Sequence, residues 1–116
     1  MPLEAIEIAK RIVEAAADKQ ASDVVLLDTR KVCSFADYFV ICSGDTEPQI
    51  EAIRQAIQKV LEAEAIGPHH YEGSASSGWM LLDLGEVIVH IFAPFEREYY
   101  QLEKLWSKAA LVVKMM

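Results

Sequence analysis

Hydrophobic residues recur every three or four positions near the start of the chain, with charged residues between them. The apolar positions are Leu3, Ile6, Ala9, Ile12, Val13, Ala16 and Ala17. This period predicts an amphipathic helix over residues 3–19. A second helical pattern begins after Thr46, whose spacing to Gln49 is that of a capping box, and it ends at Gly67-Pro68.

Between and after these helices, the apolar residues are grouped in short runs of strand length. Residues 24–27 and 38–42 contain no charged position and predict strands that are buried on both faces. Residues 79–82 and Val87–Phe92 flank an Asp-Leu-Gly-Glu sequence, which predicts two strands joined by a tight hairpin. Residues 70–72 have the pattern of a short edge strand, and the small polar residues from there to position 78 are typical of a mobile loop.

The order of these elements predicts the fold class. Pro94 opens a last segment in which apolar and aromatic residues keep helical spacing. The predicted order is helix, strand, strand, helix, strand, strand, helix. This order indicates an α/β fold, with a mixed four- to five-stranded sheet and helices packed on it. A chain of 116 residues has the size of one domain, so residues 1–116 are predicted to form a single unit.

The net charge restricts the kind of partner, and the N-terminal pattern indicates the location of the protein. The chain has 11 Lys and Arg residues against 18 Asp and Glu residues, a net charge of −7. Phosphate-backbone binding relies on cationic side chains, so a basic protein is the expected partner and specific nucleic-acid binding is not expected. The first residues lack a secretory or transit pattern, and no apolar run approaches the ~20 residues of a membrane span. A cytoplasmic protein without membrane contact is the expectation.

The histidines are weak candidates for a metal site. His69 and His70 are adjacent, so in a strand their side chains would point to opposite faces. His90 lies inside an apolar strand pattern, on the face opposite Val89 and Ile91, which favours a structural role. No Cys-x-x-Cys, His-Glu-x-x-His or calcium-loop spacing is present. The sequence therefore predicts no metal ligand and no cofactor.

Phosphate binding and acid–base catalysis are equally weakly supported. Ser43-Gly44-Asp45 connects a strand to a helix N-terminus, where anions bind, but the turn has one glycine and no following Lys. Asp45 adds negative charge there and is better explained as complementing the helix dipole. Asp83 and Glu86 flank the hairpin turn, where carboxylates usually stay solvated. No catalytic residue is predicted.

Two apolar residues are notable for their positions. Trp79 begins a strand directly after the polar loop, and Leu84 lies at the hairpin tip, with Asp83 and Glu86 beside it. Exposed apolar residues with an acidic rim are typical of protein recognition. Trp79 can equally close the core, and the residues alone leave both interpretations open.

Three segments of the chain carry a family resemblance. The first is Asp37-Tyr38-Phe39-Val40-Ile41-Cys42-Ser43-Gly44, followed by Gln49 and Ala52-Ile53. The second is Glu72-Gly73, Trp79-Met80-Leu81-Leu82-Asp83 and Gly85-Glu86-Val87-Ile88-Val89-His90-Ile91-Phe92, and the third is Arg97, Tyr100, Leu102-Glu103, Leu105-Trp106 and Ala109. In this order, over residues 23–109, they resemble the ribosomal silencing factor family, also called RsfS or Iojap. Two departures are Leu84, where the family often has an aromatic residue, and Ser107-Lys108, which replace a more usual acidic ending.

The resemblance implies a translational repressor and not an enzyme. Such proteins bind protein L-fourteen of the large ribosomal subunit and sterically block joining with the small subunit, which silences translation under nutrient limitation. The resemblance also implies a nucleotidyltransferase-like topology, so a metal-dependent nucleotidyltransferase-like enzyme is the alternative. However, the turn at Gly44 is not followed by the Asp-x-Asp pair that would hold catalytic magnesium.

The family positions also imply which residues contact the partner. By this resemblance, the surface that binds protein L-fourteen comprises Trp79, Asp83, Leu84, Gly85 and Glu86. Other matching positions are assigned first to the fold, with a carboxylate partner expected for the arginine: Tyr38, Gly44, Arg97, Tyr100 and Trp106.

The sequence also allows a third hypothesis, that two copies of the chain form a homodimer. The strand Val87–Phe92 is expected near an edge of the sheet, and the apolar tail at residues 111–116 offers a second patch. The sequence does not determine whether a dimer and a ribosomal complex would compete for one face.

Overall fold

The computed structural model describes residues 4–67, 70–105 and 108–115, with the backbone alone at Glu103 and Leu105. Within these ranges the helices are α1 (Ala5–Asp18), α2 (Glu47–Ala63), α3 (Pro94–Tyr100) and α4 (Leu102–Leu105). The strands are β1 (Ser22–Asp28), β2 (Tyr38–Ser43), β3 (His70–Ser74), β4 (Trp79–Asp83), β5 (Val87–Phe92) and β6 (Ala110–Met115). None of the helices in the described ranges is long and apolar enough to cross a membrane.

The strands form one mixed sheet in the order β3-β4-β5-β2-β1-β6. β2 and β5 run parallel, and the other neighbouring pairs are antiparallel. The α/β class with helices on a mixed sheet is confirmed, but the described part of the chain has six strands and not four to five. The nucleotidyltransferase-like topology stays a prediction.

β6 is the strand that the hydrophobic pattern does not predict. It pairs antiparallel with β1, from Val24 opposite Met115 to Asp28 opposite Ala110. Because β6 is exposed along most of its length, it has no buried face to impose an alternating pattern on its sequence. The sheet edges are β3 and β6, and β5 lies between β4 and β2, so the prediction that Val87–Phe92 lies near an edge is wrong.

Helices α1 and α2 cover one face of the sheet. Their buried residues and those of the central strands form the helix-side core, which includes Ile12, Leu26, Val40, Ile53 and Ile91. Gly44 permits the close approach of α2, because a Cβ at this position would lie 2.9 Å from Cγ1 of Ile50. Cys42 is fully buried here, and this burial raises the pKa of its thiol to about 12. The cysteine is thus an unreactive core residue, as its apolar neighbours predict.

The predicted start of α2 at Thr46 is confirmed. Thr46 Oγ1 accepts a hydrogen bond from the Gln49 N–H at 3.2 Å, and the Asp45 N–H donates to Gln49 Oε1 at 2.7 Å. The Gln49 side-chain amide also donates to the Gln20 carbonyl at 2.9 Å. These bonds satisfy backbone donors at the helix N-terminus and connect it to the chain leaving α1.

The short edge strand predicted at residues 70–72 is confirmed as β3, but the residues after it also form regular structure where the sequence predicts a mobile loop. β3 extends to Ser74, and Ala75–Ser77 form one turn of 3-10 helix. The cap of this turn is reciprocal, because each of Ser74 and Ser77 accepts a hydrogen bond from the other's N–H through its side-chain oxygen. Gly73 has a φ of +82°, and a Cβ there would lie 2.0 Å from the Trp79 carbonyl oxygen. The small residues therefore serve caps and a close backbone approach; positions 68 and 69 lie outside the described residues.

The face of the sheet opposite α1 and α2 is covered only in part. Leu102 of α4 and Ala36 of the segment between β1 and β2 join a second buried cluster with Phe39, Ile41 and Phe92. Trp79 and Leu81 of β4 pack against this cluster and remain partly exposed. Side chains on this face can therefore be both rigidly supported and accessible to a partner.

Candidate functional site

Trp79 lies at the start of β4 on the half-covered face of the sheet. Its ring stacks on Phe92 at a centroid distance of 5.0 Å and contacts the ring of Tyr100 at 4.6 Å. Its Nε1–H donates to Nδ1 of His90 at 3.1 Å. The sequence leaves open whether Trp79 is core or contact, and the structure shows a side chain that is packed on one side and exposed on the other.

His90 contacts Trp79 from the neighbouring strand β5 and accepts its hydrogen bond. It is 5% exposed, and burial lowers its pKa to about 4, so the ring is neutral near pH 7. Because Nδ1 accepts the Trp79 hydrogen bond, the ring proton is placed on Nε2. Among the described residues Nε2 has no hydrogen-bond partner. The predicted placement of His90 opposite Val89 and Ile91 is confirmed, since its ring lies on the other face from their side chains.

The hairpin between β4 and β5 forms as predicted, but its residues do not join Trp79 in one patch. Asp83 Oδ1 accepts from the Gly85 N–H at 2.8 Å, and Gly85 has a φ of +89°. Leu84 packs against the helix-side core, on the other side of the sheet from Trp79. Glu86 is exposed at the tip. Trp79 and the tip lie at opposite ends of β4, about 13 Å apart at the usual rise per strand residue.

The residues that the resemblance assigned to the fold differ in how deeply they are buried. Tyr38 is buried, and Arg97 donates through Nη1 to Ser43 Oγ at 2.9 Å. The carboxylate partner of Arg97 stays a prediction. Tyr100 is 47% exposed, so the assignment of this residue to the interior is wrong. Trp106 lies outside the described residues.

Sequence reasoning missed an aromatic surface on α3. Phe95, Tyr99 and Tyr100 are all substantially exposed, and Tyr99 contacts both other rings, at centroid distances of 6.0 and 5.1 Å. Because Tyr100 also contacts Trp79, these rings form one aromatic surface that extends from the sheet onto α3. The helical spacing of Phe95 and Tyr99 could have predicted a shared face. Its exposure depends on how α3 is oriented on the sheet.

A cleft of about 430 Å³ opens beside Trp79 on this aromatic surface. It is lined by Glu72, Gly73, Ser77, Trp79, Leu81 and Tyr100. The cleft thus combines aromatic and aliphatic walls with a carboxylate from the edge strand β3. This combination suits recognition of a side chain better than it suits chemistry on a substrate.

A second cleft, of about 480 Å³, lies at the carboxyl ends of β2 and β5. Its lining carries charges of both signs, from Asp23, Asp45, Arg97, Glu98 and Lys104. Open α/β sheets commonly bind ligands at this position. No group of three or more His, Cys, Asp or Glu side chains in the described part of the chain has the arrangement of a metal site.

Known proteins resemble this chain over most of its length. A family model described as ribosomal silencing factor during starvation matches residues 2–115. The chain is 42% identical over 106 residues to ribosomal silencing factor RsfS of Halalkalibacterium halodurans, covering 91% of each protein. It is 41% identical over 104 residues to RsfS of Bacillus subtilis, covering 90% of this chain and 88% of that one.

Structural comparison gives the same result. A crystal structure of a Chromobacterium violaceum protein matches with a TM-score of 0.86 and 34% sequence identity, covering 96% of this chain and 94% of that one. The description of the matched family, a silencing factor, is that of a regulatory protein. The resemblance first seen in three separate segments therefore extends through the fold that carries them, and the chain belongs to the ribosomal silencing factor family.

Proposed function

We propose that this protein silences translation by binding protein L-fourteen of the large ribosomal subunit and blocking its joining with the small subunit in the cytoplasm. The observation that carries the proposal is the family match over residues 2–115. Regulation during starvation is part of that family's description and is proposed here for this chain.

A steric mechanism fits the dimensions of the molecule. The fold measures 36 × 32 × 24 Å along its principal axes. Two ribosomal subunits must approach to contact distance in order to join, so a rigid body more than 20 Å thick on the joining surface would hold them apart. No chemical step is required, because occupancy of the surface is enough.

The charge and aromatic content support a basic protein partner. The net charge of −7 attracts a basic protein and disfavours unspecific attachment to RNA phosphates. We place the contact at two points along β4: Trp79, with the exposed rings of α3 beside it, and the hairpin tip, with Asp83, Gly85 and Glu86. Trp79 and the α3 rings supply the apolar centre, and Glu86 supplies an exposed rim charge. Leu84 acts indirectly, since its packing on the helix-side core holds the hairpin tip in place.

Co-sedimentation with purified large subunits tests this proposal. The wild-type protein should sediment with large subunits and not with small subunits, and it should lower the yield of joined ribosomes in a sucrose gradient. A protein that leaves joining unchanged at saturating concentration would refute the proposal.

The alternative is a nucleotidyltransferase-like enzyme, for which the charged cleft at the carboxyl ends of β2 and β5 is the relevant observation. Calorimetry with magnesium and each nucleoside triphosphate distinguishes the two. Magnesium-dependent binding of a nucleotide would support the enzyme. If no heat of binding is measured, the enzyme hypothesis is rejected and silencing is the remaining proposal.

Self-association is a further part of the proposal. The edge strand β6 exposes Leu111, Val112 and Met115, and an open strand edge can pair with a second copy. Sedimentation equilibrium measures this directly: a protein that stays monomeric at about 50 µM, a rough working limit for weak interfaces, has no functional homodimer.

A further inference from the structure

The cleft beside Trp79 has a composition that favours one kind of guest. The guest would lie against a continuous aromatic wall, because the rings of Trp79 and Tyr100 are only 4.6 Å apart and nothing fits between them. Leu81 continues this wall on β4. Glu72 is the direct cross-strand neighbour of Leu81, so its carboxylate stands next to the apolar surface.

The carboxylate of Glu72 is available to a partner. Its side chain is 64% exposed, and its described contact is with Nε2 of His70 at 3.0 Å, a histidine on the same strand whose side chain is 56% exposed. A second carboxylate lies close to the cleft, since Glu96 packs over Gly78 next to Ser77. Among the described residues, none that lines the cleft is a Lys, Arg or His. A positively charged guest would therefore meet the carboxylates of Glu72 and Glu96.

The cleft is also held in shape by its backbone. A side chain at Gly73 would collide with the Trp79 carbonyl oxygen, and the Ser77 hydroxyl donates to the Ser74 carbonyl at 2.8 Å. Trp79 itself is fixed by Phe92 and His90. A preformed site loses little conformational entropy when it binds.

From these observations we propose that the cleft receives an arginine side chain of the ribosomal partner. The guanidinium plane stacks on one ring of the Trp79–Tyr100 wall, whose two planes are tilted by 45°, the aliphatic stem lies along Leu81, and the head group pairs with Glu72. Arginine fits better than lysine because its planar, weakly hydrated head group stacks on aromatic rings and binds carboxylates in a bidentate manner. An apolar guest would partly desolvate the Glu72 carboxylate without adding a partner to its contact with His70. This inference rests on the proposed function and names the side-chain chemistry that the same site recognises.

Two variants with matched controls test the inference in the ribosome-binding assay. Glu72→Gln removes the charge but keeps the shape, and Tyr100→Ala removes half of the aromatic wall. We expect Glu72→Gln to weaken binding about fivefold and Tyr100→Ala about tenfold, each without a change in melting temperature. The control for Tyr100 is Tyr71→Ala, because Tyr71 is 45% exposed but lies on the other face of the sheet. The control for Glu72 is Glu62→Gln on α2, and neither control should alter binding.

A probe experiment examines the cleft without the ribosome. N-acetyl-arginine methylamide, the lysine analogue and the norleucine analogue are titrated to tens of millimolar while the Trp79 indole N–H is followed by NMR. The arginine probe should shift this resonance at the lowest concentration, and Glu72→Gln should remove its advantage over the norleucine probe.

The outcomes separate the inference from the proposed function. If the wild-type protein does not bind large subunits, the proposed function fails. If it binds and both variants bind equally well, the function stands and the arginine cleft is refuted. A stronger response to norleucine than to arginine would make the guest apolar. If the variants abolish only self-association, the cleft belongs to a second copy of the chain and the inference is also overturned.

Discussion

The buried histidine beneath Trp79 makes the stability of this protein depend on pH in a defined direction. His90 has a pKa of about 4 in the folded protein because burial disfavours the charged ring, against 6.5 for an exposed histidine. Between these values the unfolded chain binds a proton that the folded protein excludes. Stability therefore rises with pH through this window, is fully present above about pH 6.5, and is lost as the pH falls towards 4.

The magnitude follows from the same two values. A pKa difference of about 2.5 corresponds to about 3 kcal/mol in total, of which about 2 kcal/mol is lost between pH 7.5 and pH 5. Protonation at Nδ1 would also place an N–H group against the Trp79 Nε1–H, where the structure has a hydrogen bond. The loss in free energy of unfolding should thus be accompanied by movement of the Trp79 ring.

Urea unfolding at pH 7.5 and pH 5, followed by circular dichroism, measures this loss. The reference is His90→Gln, which cannot titrate but keeps an oxygen that can accept the Trp79 hydrogen bond. Because the two proteins differ only at position 90, the difference in their pH dependence belongs to His90. An NMR titration of the His90 ring gives its pKa without any variant. Equal pH dependence in the two proteins, or a His90 pKa near 6.5, would refute the reasoning.

Further predictions concern the contact surface and the elements that hold it. Trp79→Ala should lower the free energy of unfolding by less than the ~3–5 kcal/mol typical of a fully buried Trp, while weakening large-subunit binding about 30-fold or more; equal loss in both assays would make Trp79 a core residue only. Gly73→Ala should destabilise the protein by more than about 1 kcal/mol in urea unfolding, because its Cβ would lie 2.0 Å from the Trp79 carbonyl oxygen; an unchanged midpoint would contradict the assigned backbone. Thr46→Ala should cost about 1 kcal/mol in the same assay through loss of the helix cap, and Thr46→Ser should restore it. Glu86→Lys should mainly slow association with large subunits, measured by stopped flow at low salt, and leave dissociation nearly unchanged; a faster dissociation alone would exclude a steering role.

Part of the candidate site was visible in the sequence. Trp79 was identified because a large aromatic residue directly follows a glycine-rich polar segment, and the hairpin was identified from its turn residues. The aromatic surface of α3 and the cleft were not, because each combines residues that are distant along the chain. Glu72 reaches the cleft through β3, which the sequence predicted as a short edge strand without showing that Glu72 pairs with Leu81 of β4. Tyr100 reaches it from α3, whose helical spacing is visible in the sequence but whose orientation on the sheet is not.

The sequence by itself determined the structural features that depend on only a few neighbouring residues. Elements that depend on local geometry could be predicted closely from the sequence. These are the hydrophobic period of α1, the Thr46 cap of α2, the apolar runs of β2 and β5 and the turn at Gly85. The tertiary structure alone decided three other features. β6 becomes a strand because β1 offers an open edge, Leu84 turns to the helix-side core although it sits at a hairpin tip, and His90 becomes the acceptor for Trp79. Each of these depends on a partner from another element, and a pairing between distant residues leaves no period or cap in the sequence from which it could be read.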